Sequence, residues 1–366
     1  MLSTFVRRAL LARTCALLLF LVLASLFNLP LGLDPARPVY AAPADTPVPV
    51  ALDLVEEWAV GAGLVYWAHN CYADEFNPHA VLKRKPAAGG AQRTLETIND
   101  FGLCITYQNL LSSSDGLYYF DNAQERIERM PLGEPYTPQV VKALTSDQFP
   151  LVSKPFVEAG GYLYWVHFSN KIYRVLKDGS GEVETVADTN ATPVDVMVIG
   201  NTVYWADNTG IWTISVACDT LPCADTKAQF SNIGPNANPY GLLYQSLGGR
   251  FGNYRVYWAE RVASGPNNEY QIRYRACNQI TVCFTLPPIG QEAPPPPSFY
   301  TSTTNWRIGN PLLANGNLFW TEADFSTLNN NNGDVKRKAY DAATPGADTI
   351  ATAQAKIDDQ LFVAND

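Results

Sequence analysis

The chain has 366 residues, of which 47% are hydrophobic and 17% are charged, and its formal net charge is −9 at pH 7. An acidic surface repels phosphate groups, so this charge argues against nucleic acids and anionic membrane surfaces as partners. It fits a protein that stays dissolved in an extracellular medium, and we expect that protein to be a monomer.

Residues 1–41 have the composition of a secretory signal peptide. Arg7, Arg8 and Arg13 precede an apolar run at 15–27, and a small-residue cleavage signal, VYAA, follows. The apolar run is shorter than the roughly 20 residues of a membrane-spanning helix, and an uncleaved N-terminal anchor is the alternative. Cleavage removes four basic residues and one acidic residue, so the net charge of −9 becomes −12. We therefore predict a secreted or extracytoplasmic protein (cell surface or periplasm) without membrane contact after cleavage.

Six cysteines remain once Cys15 has left with the signal peptide. An even number of cysteines in an exported chain indicates three disulfides rather than thiol chemistry. A zinc site would need CxxC knuckles or nearby histidines, which the short cysteine pairs lack. The spacings favour these pairs: Cys218 with Cys223, Cys277 with Cys283, and Cys71 with Cys104.

An aromatic motif recurs six times, each time after a tight turn that contains Gly, Asn or Asp. A second short run follows every copy, and further β-branched and apolar runs complete several of the units. Each unit thus supplies about four short strands, with no helical periodicity between them. The six copies are VYWAH (65–69), LYYFD (117–121), LYWVH (163–167), VYWAD (203–207), VYWAE (256–260) and LFWTE (318–322).

Repeated four-stranded units of this size predict an all-β fold, a six-bladed β-propeller of antiparallel blades. The motif strands are apolar on both faces, as expected when neighbouring blades cover both sides, whereas a sandwich would expose one polar face. We expect residues 55–366 to form the propeller. Residues 42–54 precede it and could supply a closing strand. The tail at 357–366 looks like a turn and a strand that stop short, so the alternative is seven blades with a composite closing blade.

The motif copies resemble the YWTD repeat family, six-bladed propellers best known from lipoprotein receptors, in an exported, bacterial-type version. The four signature residues here are YWAH, YYFD, YWVH, YWAD, YWAE and FWTE, and Lys177-Asp178-Gly179 fits the turn of that family. The resemblance covers roughly residues 55–355. It implies that the Tyr-Trp pair is structural and that the repeat itself carries no catalysis. The EGF-like modules that flank receptor copies are missing from this sequence.

Four connections are longer than the rest. Residues 69–80, 261–269 and 323–333 separate the predicted second and third strands of units one, five and six, and a polyproline-like insert at 286–298 leads into unit six. In a propeller, these two kinds of connection emerge on the same face, so the sequence predicts a long-loop face. The Cys71–Cys104 pair should lie on that face and the two short pairs on the opposite one.

The last residue of each aromatic motif, the motif-closing residue, should lie near the mouth of the central channel. A ring of carboxylates and imidazoles there could bind a divalent cation such as Ca²⁺. Alternatively, each residue caps its strand or pairs with a basic neighbour. The family resemblance favours the structural role, and we therefore predict no metal and no other cofactor. The six residues are His69, Asp121, His167, Asp207, Glu260 and Glu322.

Catalytic signatures are missing from the sequence. It contains no GxSxG nucleophile elbow, no P-loop and no HExxH motif, and it has three histidines. We therefore assign no catalytic residue, and the noncatalytic interpretation is preferred. Aromatic residues in the predicted loops are the candidates for ligand contact: Tyr72, Phe76, Phe251, Phe299, Tyr300 and Phe325.

The leading functional hypothesis is a secreted, noncatalytic propeller that binds a protein, a peptide or a glycan through its long-loop face. One alternative is a propeller enzyme of the lyase, lactonase or glycan hydrolase type, with a metal or carboxylate site at the channel mouth. Another is a structural component of the cell surface.

Overall fold

The computed structural model of the chain is a six-bladed β-propeller in which each blade is an antiparallel sheet of four strands. The prediction of six blades is therefore confirmed. The predicted signal peptide, the 42–54 segment and the 357–366 tail lie outside the described residues. The structure describes residues 57–74, 77–87, 90–99, 106–151, 154–189, 191–218, 221–222, 226–231, 233, 237–248, 253–264, 267–277, 298–302, 306–314, 316–323, 333–339 and 347–353.

The strands follow one another in chain order within every blade. Blade 1 consists of β1 (Glu57–Gly61), β2 (Leu64–Asp74), β3 (Asn77–Pro86) and β4 (Arg93–Asn99). Blade 2 consists of β5 (Tyr107–Ser112), β6 (Leu117–Asp121), β7 (Arg126–Met130) and β8 (Gln139–Ala143). Blade 3 consists of β9 (Val157–Ala159), β10 (Tyr162–His167), β11 (Lys171–Leu176) and β12 (Glu184–Asp188). Blade 4 consists of β13 (Asp195–Ile199), β14 (Thr202–Asp207), β15 (Gly210–Ser215) and β16 (Ala228–Ser231). Blade 5 consists of β17 (Ala237–Gly248), β18 (Asn253–Ser264), β19 (Asn267–Cys277) and β20 (Ser298–Thr301). Blade 6 consists of β21 (Arg307–Ile308), β22 (Leu312–Ala314), β23 (Asn317–Ala323), β24 (Gly333–Ala339) and β25 (Asp348–Ala353).

The first strand of blade 6 is divided into two pieces, β21 and β22, which both pair with β23. Pro311 lies between the pieces and has no backbone N–H to offer the sheet, so the ladder is interrupted there. The Gly309 amide still donates to the Thr321 carbonyl at 2.8 Å. The part of the chain that the structure describes contains no α-helix, and hence no helix that could cross a membrane.

The first strands line the centre of the ring, because first strands of successive blades contact each other. Since the strands of a blade alternate in direction, its connections also alternate between the two faces of the ring. We call upper the face that carries the connections between second and third strands and those between blades. The lower face carries the other connections. Every motif-closing residue lies at or near the upper face, on the second strand of its blade.

Apolar clusters hold successive blades together and explain why the motif strands have no polar face. Trp165 of blade 3 lies in one cluster with Phe120 of blade 2, and Trp258 of blade 5 lies in another with Phe230 of blade 4. Trp320 of blade 6 packs against Tyr300 of blade 5, with 4.7 Å between the ring centroids. All three tryptophans are at most 1% exposed. Burying a side chain as large as phenylalanine stabilises a fold by about 1.5–3 kcal/mol, so these clusters supply much of the adhesion between blades.

Cationic side chains of third strands add polar contacts between blades. The Lys338 ammonium in β24 donates to the Phe299 carbonyl of blade 5 at 2.7 Å and lies 4.4 Å from the centroid of that phenylalanine ring. Arg275 in β19 makes the equivalent contact with the carbonyl and ring of Phe230 in blade 4. Burial lowers the pKa of both cations. Each contact thus joins a third strand to the outermost strand of the preceding blade.

The polyproline-like insert at 286–298 does not lead into blade 6, and that prediction is wrong. Residues 298–301 are the fourth strand of blade 5, in which Ile272 of the third strand pairs with Tyr300. The insert therefore joins the third and fourth strands and leaves from the lower face. The sequence is misleading here because an outermost strand pairs along one edge alone, and the four residues SFYT are too few to show a pattern.

Candidate functional site

The six motif-closing residues are buried rather than open to the channel mouth. Their exposed fractions are 7% for His69, 1% for Asp121, 1% for His167, 0% for Asp207, 1% for Glu260 and 3% for Glu322. Buried polar groups are stable only when they are hydrogen-bonded, so the partners of these residues decide what they can do.

In blades 2, 3 and 4, the motif-closing residue accepts hydrogen bonds from the turn that follows it. Asp121 accepts from the amide of Ala123 at 2.9 Å, and Asp207 accepts from the amide of Thr209 at 2.8 Å. His167 Nδ1 accepts from the amide two residues on, at 3.1 Å. This is the arrangement of an Asx-type turn, in which a short polar side chain ends a strand by taking the place of a backbone acceptor.

In blades 5 and 6, the motif-closing residue is a glutamate that pairs with a cation of the third strand. Glu260 forms a hydrogen-bonded ion pair with Arg273, and Glu322 lies 3.9 Å from the Lys336 ammonium. The partners are diagonal neighbours on one face of the sheet, because Trp258 is directly opposite Arg273. Burial nevertheless raises the pKa of Glu260, although Trp258 and Arg273 both stabilise its anion.

A tryptophan two residues earlier donates its indole N–H to the closing carboxylate in three blades. The Nε1–O distances are 3.2 Å for Trp205 and Asp207, 3.0 Å for Trp258 and Glu260, and 3.5 Å for Trp320 and Glu322. Residues i and i+2 of a strand point to the same side, so the spacing Trp-x-acid brings the two groups together. The sequence contained this signal, and our sequence analysis did not use it.

The two histidines at closing positions differ in their described surroundings. His167 lies under the ring of Phe168, with 4.1 Å between the centroids, and its Nδ1 is 2.6 Å from the Ser169 hydroxyl. Burial lowers the pKa of His167, so the imidazole is neutral at pH 7. His69 is also buried, but at 7% it is the most exposed of the six closing residues.

In blades 2 to 6, these contacts join the closing side chain to residues of its own blade. Within the described ranges, no three His, Cys, Asp or Glu side chains come close enough together to hold a metal ion. The six residues predicted as channel-mouth candidates are therefore buried separately. In blades 2 to 6, their contacts stabilise the end of the second strand.

Two blades carry second and third strands that extend beyond the motif. In blade 3, β10 ends at His167, whereas β2 of blade 1 continues five residues past His69 to Asp74. In blade 5, β18 continues four residues past Glu260 to Ser264. We call these extensions the blade 1 ribbon and the blade 5 ribbon. At about 3.3 Å per residue, they rise roughly 13–17 Å from the upper face.

The ribbons correspond to two of the connections that the sequence identified as long. Tyr72 pairs with His79 inside the blade 1 ribbon, and Val262 pairs with Glu269 inside the blade 5 ribbon. Within these connections, the described residues 69–74, 77–80, 261–264 and 267–269 thus belong to paired strands rather than loops. The third connection, at 324–332, lies outside the described residues.

The predicted ligand-contact aromatics are not a single surface. Phe299 and Tyr300 belong to β20, where Phe299 is buried against Tyr257 with 5.7 Å between their centroids. Tyr72 lies in the blade 1 ribbon, and the other three, Phe76, Phe251 and Phe325, are outside the described residues. Among described large apolar side chains, Phe168 is the most exposed, at 61%. Its position in the short hinge HFSN gave no sign of this.

Cys218 and Cys277 are both in disulfide bonds. Cys218 follows the third strand of blade 4 and Cys277 ends the third strand of blade 5, so both lie on the lower face as expected. Cys71 is part of β2 on the upper side. Cys104, Cys223 and Cys283 are outside the described residues, and the three pairings therefore stay predictions.

Comparison with known proteins supports the fold. No family model matches the sequence, and no curated protein matches it. The fold is similar to that of an oligogalacturonate lyase in complex with manganese, with a TM-score of 0.50, 10% identity, and coverage of 83% of this chain and 85% of that one. A Mycobacterium tuberculosis puromycin-hydrolyzing peptidase has a TM-score of 0.49 and 11% identity, with coverage of 77% of this chain and 44% of that one. A chain of the mitotic checkpoint complex has a TM-score of 0.48 and 8% identity, with coverage of 82% of this chain and 80% of that one. At 10% identity, the match to the lyase is evidence of a shared fold alone.

Proposed function

We propose that this chain is an exported, noncatalytic binding module whose upper face holds a protein, a peptide or a glycan. The observation that carries the proposal is the pair of ribbons on blades 1 and 5. A paired ribbon keeps its backbone hydrogen bonds satisfied while it projects from the ring, so it is a stiff support for side chains that contact a partner.

The position of the ribbons around the ring supports a common binding area. Blades 5, 6 and 1 are consecutive in a closed six-bladed ring, so the two ribbons stand on either side of blade 6. The blade 5 ribbon presents exposed Arg261 and Ala263 together with partly exposed Val262, Glu269 and Tyr270. Arginine and tyrosine are both enriched in protein recognition surfaces.

The motif-closing residues do not offer an equally good site. Asp207 and Glu260, for example, are nearly inaccessible and already accept hydrogen bonds from tryptophan side chains. A ligand could reach them only by displacing those bonds. The resemblance to YWTD propellers agrees with this view, since the Tyr-Trp pair is structural in that family. We propose that the chain is a distant member of that group of repeats.

Shortening the blade 5 ribbon tests the proposal. Residues 261–270 separate Glu260 from its partner Gln271, whereas blade 3 uses three residues for the same connection. A variant in which Ser-Ser-Asn replaces 261–270 should lose binding to glycan arrays or peptide arrays by at least tenfold. Its free energy of unfolding should stay close to that of the unaltered protein, because the blade core is unchanged.

Deleting residues 286–295 gives a matched control, since this insert leaves from the lower face. The deletion should leave array binding unchanged. Equal binding by the ribbon variant and the parent protein would contradict the proposal. The enzyme alternative predicts a different outcome, turnover of a glycan or lactone that stops when divalent cations are chelated, and the structural alternative predicts no array binding by the parent protein.

A further inference from the structure

A pair of carboxyl groups, half-buried in Glu96 and buried in Glu128, lies where blade 1 meets blade 2. Glu96 belongs to β4, the outermost strand of blade 1, and Glu128 belongs to β7 of blade 2. The hydroxyl oxygen of Tyr119 in β6 lies 3.0 Å from Glu96 Oε2 and 2.9 Å from Glu128 Oε2. Tyr119 is fully buried, and the ring of Tyr107 packs edge-on against it at 5.4 Å.

The number of hydrogens at this site does not match the number of contacts. A tyrosine hydroxyl has one hydrogen to donate, so it can satisfy one of the two carboxyl oxygens. At 3 Å, the tyrosine oxygen and the second carboxyl oxygen would repel each other unless a hydrogen also lies between them. That hydrogen can come from the second carboxyl group, as a neutral acid that donates to the tyrosine oxygen.

The surroundings identify the carboxyl that holds the hydrogen. Glu128 is an anion, because its Oε1 accepts from the Arg126 guanidinium at 2.7 Å. Glu96 lies on the other side of the Tyr119 hydroxyl and faces the Glu128 carboxylate across it. Burial raises the pKa of Glu96, and the charges of Glu128 and Asp121 add to that effect, whereas hydrogen bonds with Tyr119 and Tyr107 oppose it. The ionisable groups around it are Tyr107 on β5, Tyr119 and Asp121 on β6, and Arg126 and Glu128 on β7.

We propose that Glu96 is protonated in the folded protein and that this proton fastens blade 1 to blade 2, so that its loss loosens the interface. The bond Glu96 O–H···Oη of Tyr119 crosses between the blades, and the Tyr119 hydroxyl in turn donates to Glu128. Once Glu96 loses the proton to solvent, two carboxylates face one hydroxyl, and the interface must admit water or open. The carboxyl pair is thus a pH-sensitive contact between blades 1 and 2.

The sign of the pH dependence follows from linkage. A carboxyl whose pKa is raised by folding holds its proton more tightly in the folded chain than in the unfolded one. The stabilisation is complete below the ordinary glutamate pKa of about 4.3 and is lost as the pH rises through the raised value. One such proton changes the opening equilibrium by at most about tenfold per pH unit.

Hydrogen exchange of the backbone amides in β4, measured between pH 4 and pH 8 and corrected for intrinsic exchange, tests this inference. Protection of residues 93–98 should fall with rising pH in the parent protein. In the Glu96→Gln variant, the amide donates to Tyr119 at every pH, so the protection should no longer depend on pH. Glu182→Gln is the matched control, because Glu182 is an exposed glutamate whose side chain is 91% accessible, and it should keep the parental pH dependence.

An infrared titration gives a second measurement. A protonated-carboxyl band should persist above the ordinary glutamate range in the parent protein and lose intensity in Glu96→Gln, because Glu260 and Asp121, whose pKa burial also raises, are present in both proteins. Two results would overturn the inference: all carboxyl bands titrating in the ordinary range, or β4 of Glu96→Gln keeping the parental pH dependence. Loss of array binding by the ribbon variant bears on neither result, because the fastening does not rest on the proposed function.

Discussion

Replacing Asp207 by alanine should destabilise the propeller by about 3 kcal/mol. The carboxylate accepts from the Thr209 amide at 2.8 Å, from the Thr209 hydroxyl and from Trp205 Nε1 at 3.2 Å. The indole is inaccessible to water, so its N–H would lose its acceptor without replacement, at a cost of about 1–3 kcal/mol. The Thr209 groups are exposed and would regain water, so the loss of their bonds to a charged acceptor adds about 1 kcal/mol.

Urea denaturation followed by tryptophan fluorescence measures this change. Asp178→Ala is a matched control, because Asp178 accepts from the amide and hydroxyl of Ser180 in the same turn geometry but is exposed to water. Its removal should lower the free energy of unfolding by clearly less than Asp207→Ala, because it breaks the same two turn bonds but leaves no buried indole N–H without an acceptor. Asp207→Asn keeps one acceptor oxygen and should fall between the two. Equal free energies for Asp207→Ala and Asp178→Ala would refute the structural role of the motif-closing residues.

Two further predictions concern the joints between blades and the cysteines. Lys338→Met should destabilise the protein by about 2 kcal/mol in the urea denaturation assay, because it leaves the Phe299 carbonyl without its charged donor. Lys142→Met should destabilise it less in the same assay, because the hydrogen bond from Lys142 to the Gly181 carbonyl is exposed to water. Equal losses would show that burial does not set the strength of these contacts. Peptide mapping without reductant should give three pairs, and a link between Cys71 and Cys218 would contradict the assignment: Cys71 with Cys104, Cys218 with Cys223, and Cys277 with Cys283.

The number of blades could be predicted because every blade repeats one buried strand. A strand covered on both sides must be apolar at successive positions, and the six aromatic motifs meet that condition. The outermost strands could not be found in the same way. SFYT in blade 5 is held by pairing with β19 and by the packing of Phe299, and neither contact leaves a periodic pattern in four residues.

The candidate site could be predicted less fully. The positions of the closing residues followed from the repeat, but their burial and their partners depend on side chains from other strands. The contact between Glu96 and Tyr119 joins different blades, and no spacing in the sequence announces it. The ribbons were recognised as long connections but not as strands, because their pairing depends on register. Tyr72 opposite His79, for example, follows a bulge in the ladder after His69.

In blades 2 to 5, the chemistry of the closing residue follows the length of the next connection. The side chains of Asp121, His167 and Asp207 each accept a hydrogen bond from the backbone amide two residues later. That amide is available because the strand ends at the closing residue. Where the chain continues upward, in blade 5, that amide is part of the β-ladder, and Glu260 turns to a cation instead. A longer side chain is needed for this, because the partner is a diagonal neighbour rather than the next turn. The short connections are therefore fixed by the fold, and variation in the upper surface must come from the blades whose strands continue past the motif.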